Sequence, residues 1–195
     1  MRDKLKRKPR ALLSEVRLTK HSSYEEAVAT GEAVAAELKL GDIPAMALIE
    51  AAEEKLDAIV LMADPKKGIS GAACRLPEMN AIIINRNEPI SRRNFDLAHE
   101  IFHILTWEAM PPDYLDGVNT AKSRVEQLAD KFASGLLLPS FVLEKHLDGL
   151  EVNHESFVQR VNEVATELRV SSQALLWRLV DLGKLNRGTC KELTE

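Results

Sequence analysis

Cysteine, histidine and aromatic residues are all scarce in this 195-residue chain, and neither sign of charge dominates it. The two cysteines, Cys74 and Cys190, form neither a disulfide framework nor a Cys-x-x-Cys pair, which points to a reducing, cytoplasmic compartment. No apolar run approaches the roughly 20 residues that span a bilayer. Ala11-Leu12-Leu13, behind the basic N-terminus, is too short for a signal-peptide core. A net charge of −4 removes any global attraction to nucleic acid or to an anionic membrane. What is present, 45% hydrophobic and 29% charged residues, excludes a disordered chain. It suffices for one compact domain with a core, or for one domain with a small appendage.

Residues 1–20 begin with a basic run (Arg2, Lys4, Lys6, Arg7, Lys8, Arg10) that reads as a solvated, flexible tail. Ser22-Ser23-Tyr24-Glu25-Glu26 is a capping-box pattern that opens a helix. Pro44 suits the first turn of a second helix over 44–55. Three strands are expected next: a buried one over 56–62, a second over 68–76 with Gly71 as a bulge, and a third over 81–85. A long apolar helix over 92–107, a loop over 108–119 and a helix over 122–137 follow. A short helix over 140–147 and two more, parted by a turn at Val170-Ser171, complete the chain. The expected organisation is α+β, with a small antiparallel sheet in a domain over 21–140 and a helical unit over 141–195.

The chemistry is concentrated in Leu97-Ala98-His99-Glu100-Ile101-Phe102-His103, an H-E-x-x-H pattern. On a helix, positions i and i+4 share a face with Cβ atoms roughly 5–6 Å apart. Two imidazoles at that spacing converge on one ion at the roughly 2.0–2.1 Å of a zinc–nitrogen bond. Glu100 points about a quarter turn away, where it can act as general base on a water bound to the ion. The flanking Leu97, Ala98, Ile101, Ile104 and Leu105 make the helix apolar on nearly every side, hence buried. Buried histidines and a glutamate need partners, and one metal ion satisfies all three.

A catalytic zinc keeps three protein ligands and an open position. His21, His146 and His154 stand alone, without a motif. In Val125-Glu126-Gln127-Leu128-Ala129-Asp130, by contrast, two acids at i, i+4 border an apolar face. Glu126 can supply the third ligand, and Asp130 can accept the hydrogen bond from the far nitrogen of a ligating histidine. Spacing alone equally allows a solvated acidic edge.

These segments, in this order, resemble the ImmA/IrrE family of zinc metallopeptidases. The features that carry the likeness are the strand Ala81 to Asn85, Arg92-Arg93-Asn94-Phe95-Asp96-Leu97-Ala98-His99-Glu100, the run from Glu126 to Ala133 continuing to Leu137-Leu138-Pro139, and Val170-Ser171-Ser172-Gln173-Ala174-Leu175. The resemblance covers residues 40–185. It implies a zincin-like, gluzincin-like core, zinc on His99, His103 and Glu126, Glu100 as catalytic base and Asp130 supporting a zinc-bound histidine. It also implies that Ile83, Ile84 and Asn85 lie on an edge strand that pairs with substrate. The target implied is a regulatory protein of the helix-turn-helix repressor type. Phe102 departs from the family pattern, which has glycine there, and its ring either narrows the cleft or fills core. Tyr24 and Tyr114, the only tyrosines, have no motif that marks either as a donor to the reaction's oxyanion.

The last two expected helices have the outline of a helix-turn-helix, with Ser171 or Ser172 as cap. Residues 151–195 nevertheless hold six basic against seven acidic residues. Phosphate contacts dominate affinity for DNA, so this balance favours packing or protein recognition over duplex binding. Two functions stay open: a zinc endopeptidase, and a non-catalytic zinc-binding regulator that binds a repressor or DNA.

Overall fold

The computed structural model describes residues 16–66, 68–77, 79–111, 123–147 and 156–194. The order is α1 (Tyr24–Glu37), α2 (Pro44–Lys55), β1 (Ala58–Ala63), β2 (Gly71–Arg75), β3 (Asn80–Asn85), α3 (Ile90–Thr106) and α4 (Arg124–Leu137). Then come α5 (Ser140–His146), α6 (Phe157–Glu167), α7 (Ser172–Asp181) and α8 (Arg187–Thr194). The class is α+β, as expected. The basic run of the N-terminal tail, most of the 108–119 loop, Tyr114 and His154 lie outside the described residues. Among the described residues no helix is long and apolar enough to cross a membrane.

Local signals set the starts of four of the helices. Ser23 caps α1 in a reciprocal capping box with Glu26, Pro44 opens α2, Ser123 caps α4 and Ser171 caps α7. Helix α8 has no counterpart in the sequence reading. Its run Arg-Gly-Thr-Cys-Lys-Glu-Leu-Thr offers only Cys190 as a buried residue, so the apolar periodicity that marks a helix is missing.

The sheet differs from expectation in three respects. It is mixed, not antiparallel: its order is β1-β3-β2, with β1 parallel and β2 antiparallel to β3. Strand β3, which carries Ile83, Ile84 and Asn85, is therefore central and has no free edge for an extended substrate. The β2–β3 hairpin is sequence-local, but the chain passes from β1 to β2 across the position that β3 then fills, and no local signal announces that crossover. Secondly, β1 is not buried throughout. Helices α2 and α3 cover one face, where Ala58, Ile82 and Ile84 are buried, and leave Ile59, Leu61 and Ile83 exposed on the other. Thirdly, β2 pairs with β3 one residue to one residue from Gly71 to Arg75, so Gly71 is not a bulge.

Helix α4 lies between α1 and α3. Its contact with α1 is backbone to backbone. A Cβ on Gly135 would fall 2.2 Å from Val28 O, and one on Gly31 would fall 2.2 Å from Phe132 O. Glycine inside a helix costs about 0.5–1 kcal/mol against alanine, a cost offset here by the close approach it permits. On its other side α4 presents Phe132 to Phe102 of α3, with ring centroids 5.6 Å apart. Phe102 is fully buried, so it fills core between the two helices and does not narrow a cleft.

The C-terminal helices share one core with the rest. The expected divide between residues 140 and 141 falls inside α5. There Glu32 of α1 accepts hydrogen bonds from Ser140 N and Oγ at 3.1 and 3.0 Å. Arg178 of α7, 2% exposed, donates to Leu138 O at 2.9 Å and pairs with Glu32. A charged residue among Leu175, Leu176 and Leu179 was the signal for this contact.

Candidate metal centre

Helix α3 carries His99, Glu100 and His103 in its buried middle, and α4 brings Glu126 and Asp130 alongside. His99 Nε2 lies 3.1 Å from Glu126 Oε2 and 3.2 Å from His103 Nε2, and His103 Nε2 lies 3.3 Å from Glu126 Oε1. These contacts outline a triangle. Ligand atoms bound at about 2.0–2.1 Å on tetrahedral corners stand about 3.3–3.4 Å apart, so the triangle has the dimensions of a single metal site. The donor set, two imidazoles and a carboxylate, is one that holds a first-row divalent ion with a position left open. His99 and His103 are thus brought together as their spacing predicted, and Glu126 joins them as the family resemblance implied.

Asp130 also stands where it was expected, with Oδ1 3.0 Å from His99 Nδ1. A hydrogen bond there puts the proton on Nδ1 and turns Nε2 towards the ion. His103 Nδ1 is buried without a hydrogen-bond partner among the described residues, so the pocket fixes the orientation of His99 more firmly.

The electrostatics of the metal-free site follow from this crowding. Burial would depress the His99 imidazole, but hydrogen bonds to Asp130 and Glu126 and the charge of Glu100 outweigh it and raise its pKa to about 9. Glu126, which accepts hydrogen bonds from His103 and His99, is held well below the usual carboxylate range. Glu100 does not join the triangle. It is 8% exposed, and burial pushes its carboxyl upward despite the nearby histidines.

Of the remaining candidates, Tyr24 is engaged at the α1–α4 seam. Its hydroxyl donates to Gln127, and the Arg124 guanidinium sits 4.0 Å above its ring. His21 is exposed, and His146 pairs with Glu167 at 3.4 Å, away from the triangle. Residues that the sequence reading missed are Gly31 and Gly135, which seat α4, and Gly71, whose Cα borders Glu100. The available signal was a glycine inside each element.

No curated protein matches the chain. A family model described as Peptidase M78, IrrE N-terminal-like domain, matches residues 53–180, about two thirds of the sequence and the whole of the site. The chain therefore belongs to the Peptidase M78, IrrE N-terminal-like family, its function is of the metallopeptidase type, and three residues that could hold a metal ion, His99, His103 and Glu126, lie inside the matched span.

Proposed function

We propose that this protein is a zinc-dependent endopeptidase that cleaves a specific regulatory protein, of the helix-turn-helix repressor class by family resemblance. The observation that carries the proposal is the triangle of His99, His103 and Glu126, with the buried Glu100 carboxylate one residue from a ligand. A bound zinc ion would polarise the scissile carbonyl and lower the pKa of its water towards about 7. Glu100 accepts the proton of the attacking water and delivers it to the departing amine. Asp130 holds the His99 imidazole in place throughout.

The substrate strand belongs on β2. The sheet's free edges are those of β1 and β2, and of the two it is β2 that packs on α3. Gly71 meets Glu100 at one end of β2, and Arg75 pairs with Glu108 at 3.0 Å at the other. The strand and the helix therefore run side by side along the site. An extended peptide on the open edge of β2 would gain main-chain hydrogen bonds next to the metal ligands.

Two features that had favoured a non-catalytic regulator weigh differently in the fold. Phe102 is core. In α7, the recognition position of the helix-turn-helix outline, Arg178 is turned inward, and the exposed residues are Gln173 and Asp181. Helix α7 itself thus exposes no cation along its length, which supports a packing role for this helix.

The direct test is to incubate the zinc-loaded protein with the products of the genes next to its own, any helix-turn-helix repressor among them first, and to identify new termini by mass spectrometry. We expect one internal cut that a chelator abolishes. An intact repressor, bound or not, would count against the endopeptidase.

Zinc affinity should also depend on pH in a definite direction. Below about 9 the metal-free His99 is protonated, and the ion must displace that proton. Apparent affinity is expected to fall roughly tenfold for each pH unit below that value, as competition with a chromophoric chelator would show. A flat profile between about pH 7 and 9 would mean that zinc displaces no proton from His99 in that range.

A further inference from the structure

Gly71, the first residue of β2, is the point where the sheet meets the metal helix. Its φ is not positive and its pairing with Ile84 is regular, so neither left-handed backbone nor a bulge calls for glycine. Glycine weakens a strand interior, and where it occurs it often marks close approach of another group. Here that group is one side chain. A Cβ on Gly71 would lie 3.0 Å from Glu100 Oε1, 3.2 Å from its Cγ and 3.4 Å from its Cδ. Those distances demand a shift of a few tenths of an ångström. The Glu100 side chain is the part able to yield, since a strand paired along its length is stiffer than a carboxylate.

We propose that Gly71 is a positioning residue for Glu100: its bare Cα is the surface against which the carboxylate rests, and any side chain there moves the carboxylate while leaving the metal ligands in place. This deepens the endopeptidase proposal and rests on it only for the effect on turnover. Misplacing a reacting group by fractions of an ångström to an ångström costs roughly ten- to a hundredfold in rate.

The test compares the parent, Gly71→Ala, Glu100→Ala and the double variant, each as the full chain. The probes are zinc itself, acetohydroxamate, which ligates zinc and donates a hydrogen bond to a neighbouring carboxylate, and a quenched-fluorescent peptide that the parent cleaves. For Gly71→Ala we expect zinc affinity within about twofold of the parent, kcat about tenfold lower with KM little changed, and acetohydroxamate binding weakened about fivefold. In the Glu100→Ala background the same substitution should leave acetohydroxamate binding unchanged. Loss of zinc affinity in parallel, or a hydroxamate loss that persists without Glu100, would overturn the proposal. If Gly71→Ala proves too unstable to assay, the melting temperature of the metal-free double variant decides. Recovery on removing Glu100 upholds the contact, and no recovery refutes it. A parent that binds acetohydroxamate yet cuts no peptide would sink the endopeptidase proposal alone, with the binding comparison still testing Gly71.

Discussion

Replacing Glu100 with glutamine is expected to lower kcat by roughly a hundred- to ten-thousandfold while zinc stays bound at parental affinity. The range is what a positioned acid–base group contributes to a proton transfer. Glutamine matches glutamate in shape, so it keeps the contact with Gly71 and the packing of α3, but it cannot accept the proton of the attacking water. The metal should be retained because His99, His103 and Glu126 form their triangle without Glu100. Burial favours this role: it raises the proton affinity of Glu100 towards the range where a base works at neutral pH, and the charge of a bound ion pulls it part of the way back. Kinetics on a cleaved peptide, with zinc content measured on the same sample, decide the matter. Turnover at the parental rate by a zinc-loaded Glu100→Gln protein would rule Glu100 out as the base.

The second large effect is on stability. Arg178→Met should cost about 2–4 kcal/mol, somewhat less than removing one partner from a fully buried ion pair, because the Glu32 side chain is 26% exposed. The guanidinium is 2% exposed and serves two acceptors, Leu138 O and the Glu32 carboxylate. Methionine fills much of the volume but leaves both acceptors short of a donor, and among the described residues Ser140 still serves Glu32. Replacing Glu32 by leucine in the same chain should return a substantial part of the loss, because no uncompensated charge then remains. Urea unfolding of the metal-free protein at pH 7 tests both. A single-variant loss below about 1 kcal/mol would mean that the pair contributes no more than an exposed one.

The residues that could hold an ion were legible in the sequence because each carries a local signature. The i, i+4 histidines, the apolar helix around them and the i, i+4 acids of α4 are all short-range patterns; that the acids meet the histidines was implied by the family resemblance and not by spacing. The helix ends were legible for the same reason, since Ser23, Pro44 and Ser171 act within their own turns. What the sequence did not show is what depends on distant pairing. The parallel partnership of β1 with β3 puts Ile83, Ile84 and Asn85 in the middle of the sheet, and strand order leaves no trace in a strand's own residues. The fully buried Phe102 looked ambiguous until Phe132 was seen across from it. Arg178 looked like one base among six until Glu32, 146 residues away, met it.

The seam between α1 and α4 separates the family from the folding unit. Gly31 and Glu32 both precede residue 53, where the family match begins, yet one lets the backbone of α4 come close and the other ties α7 and α5 to α1. A chain trimmed to residues 53–180 would keep His99, His103 and Glu126 and lose the support behind two of them, Glu126 and the Asp130-braced His99. Autonomy therefore belongs to a longer stretch than the one homology outlines, and changes at the α1–α4 seam should reach the candidate metal centre from its far side.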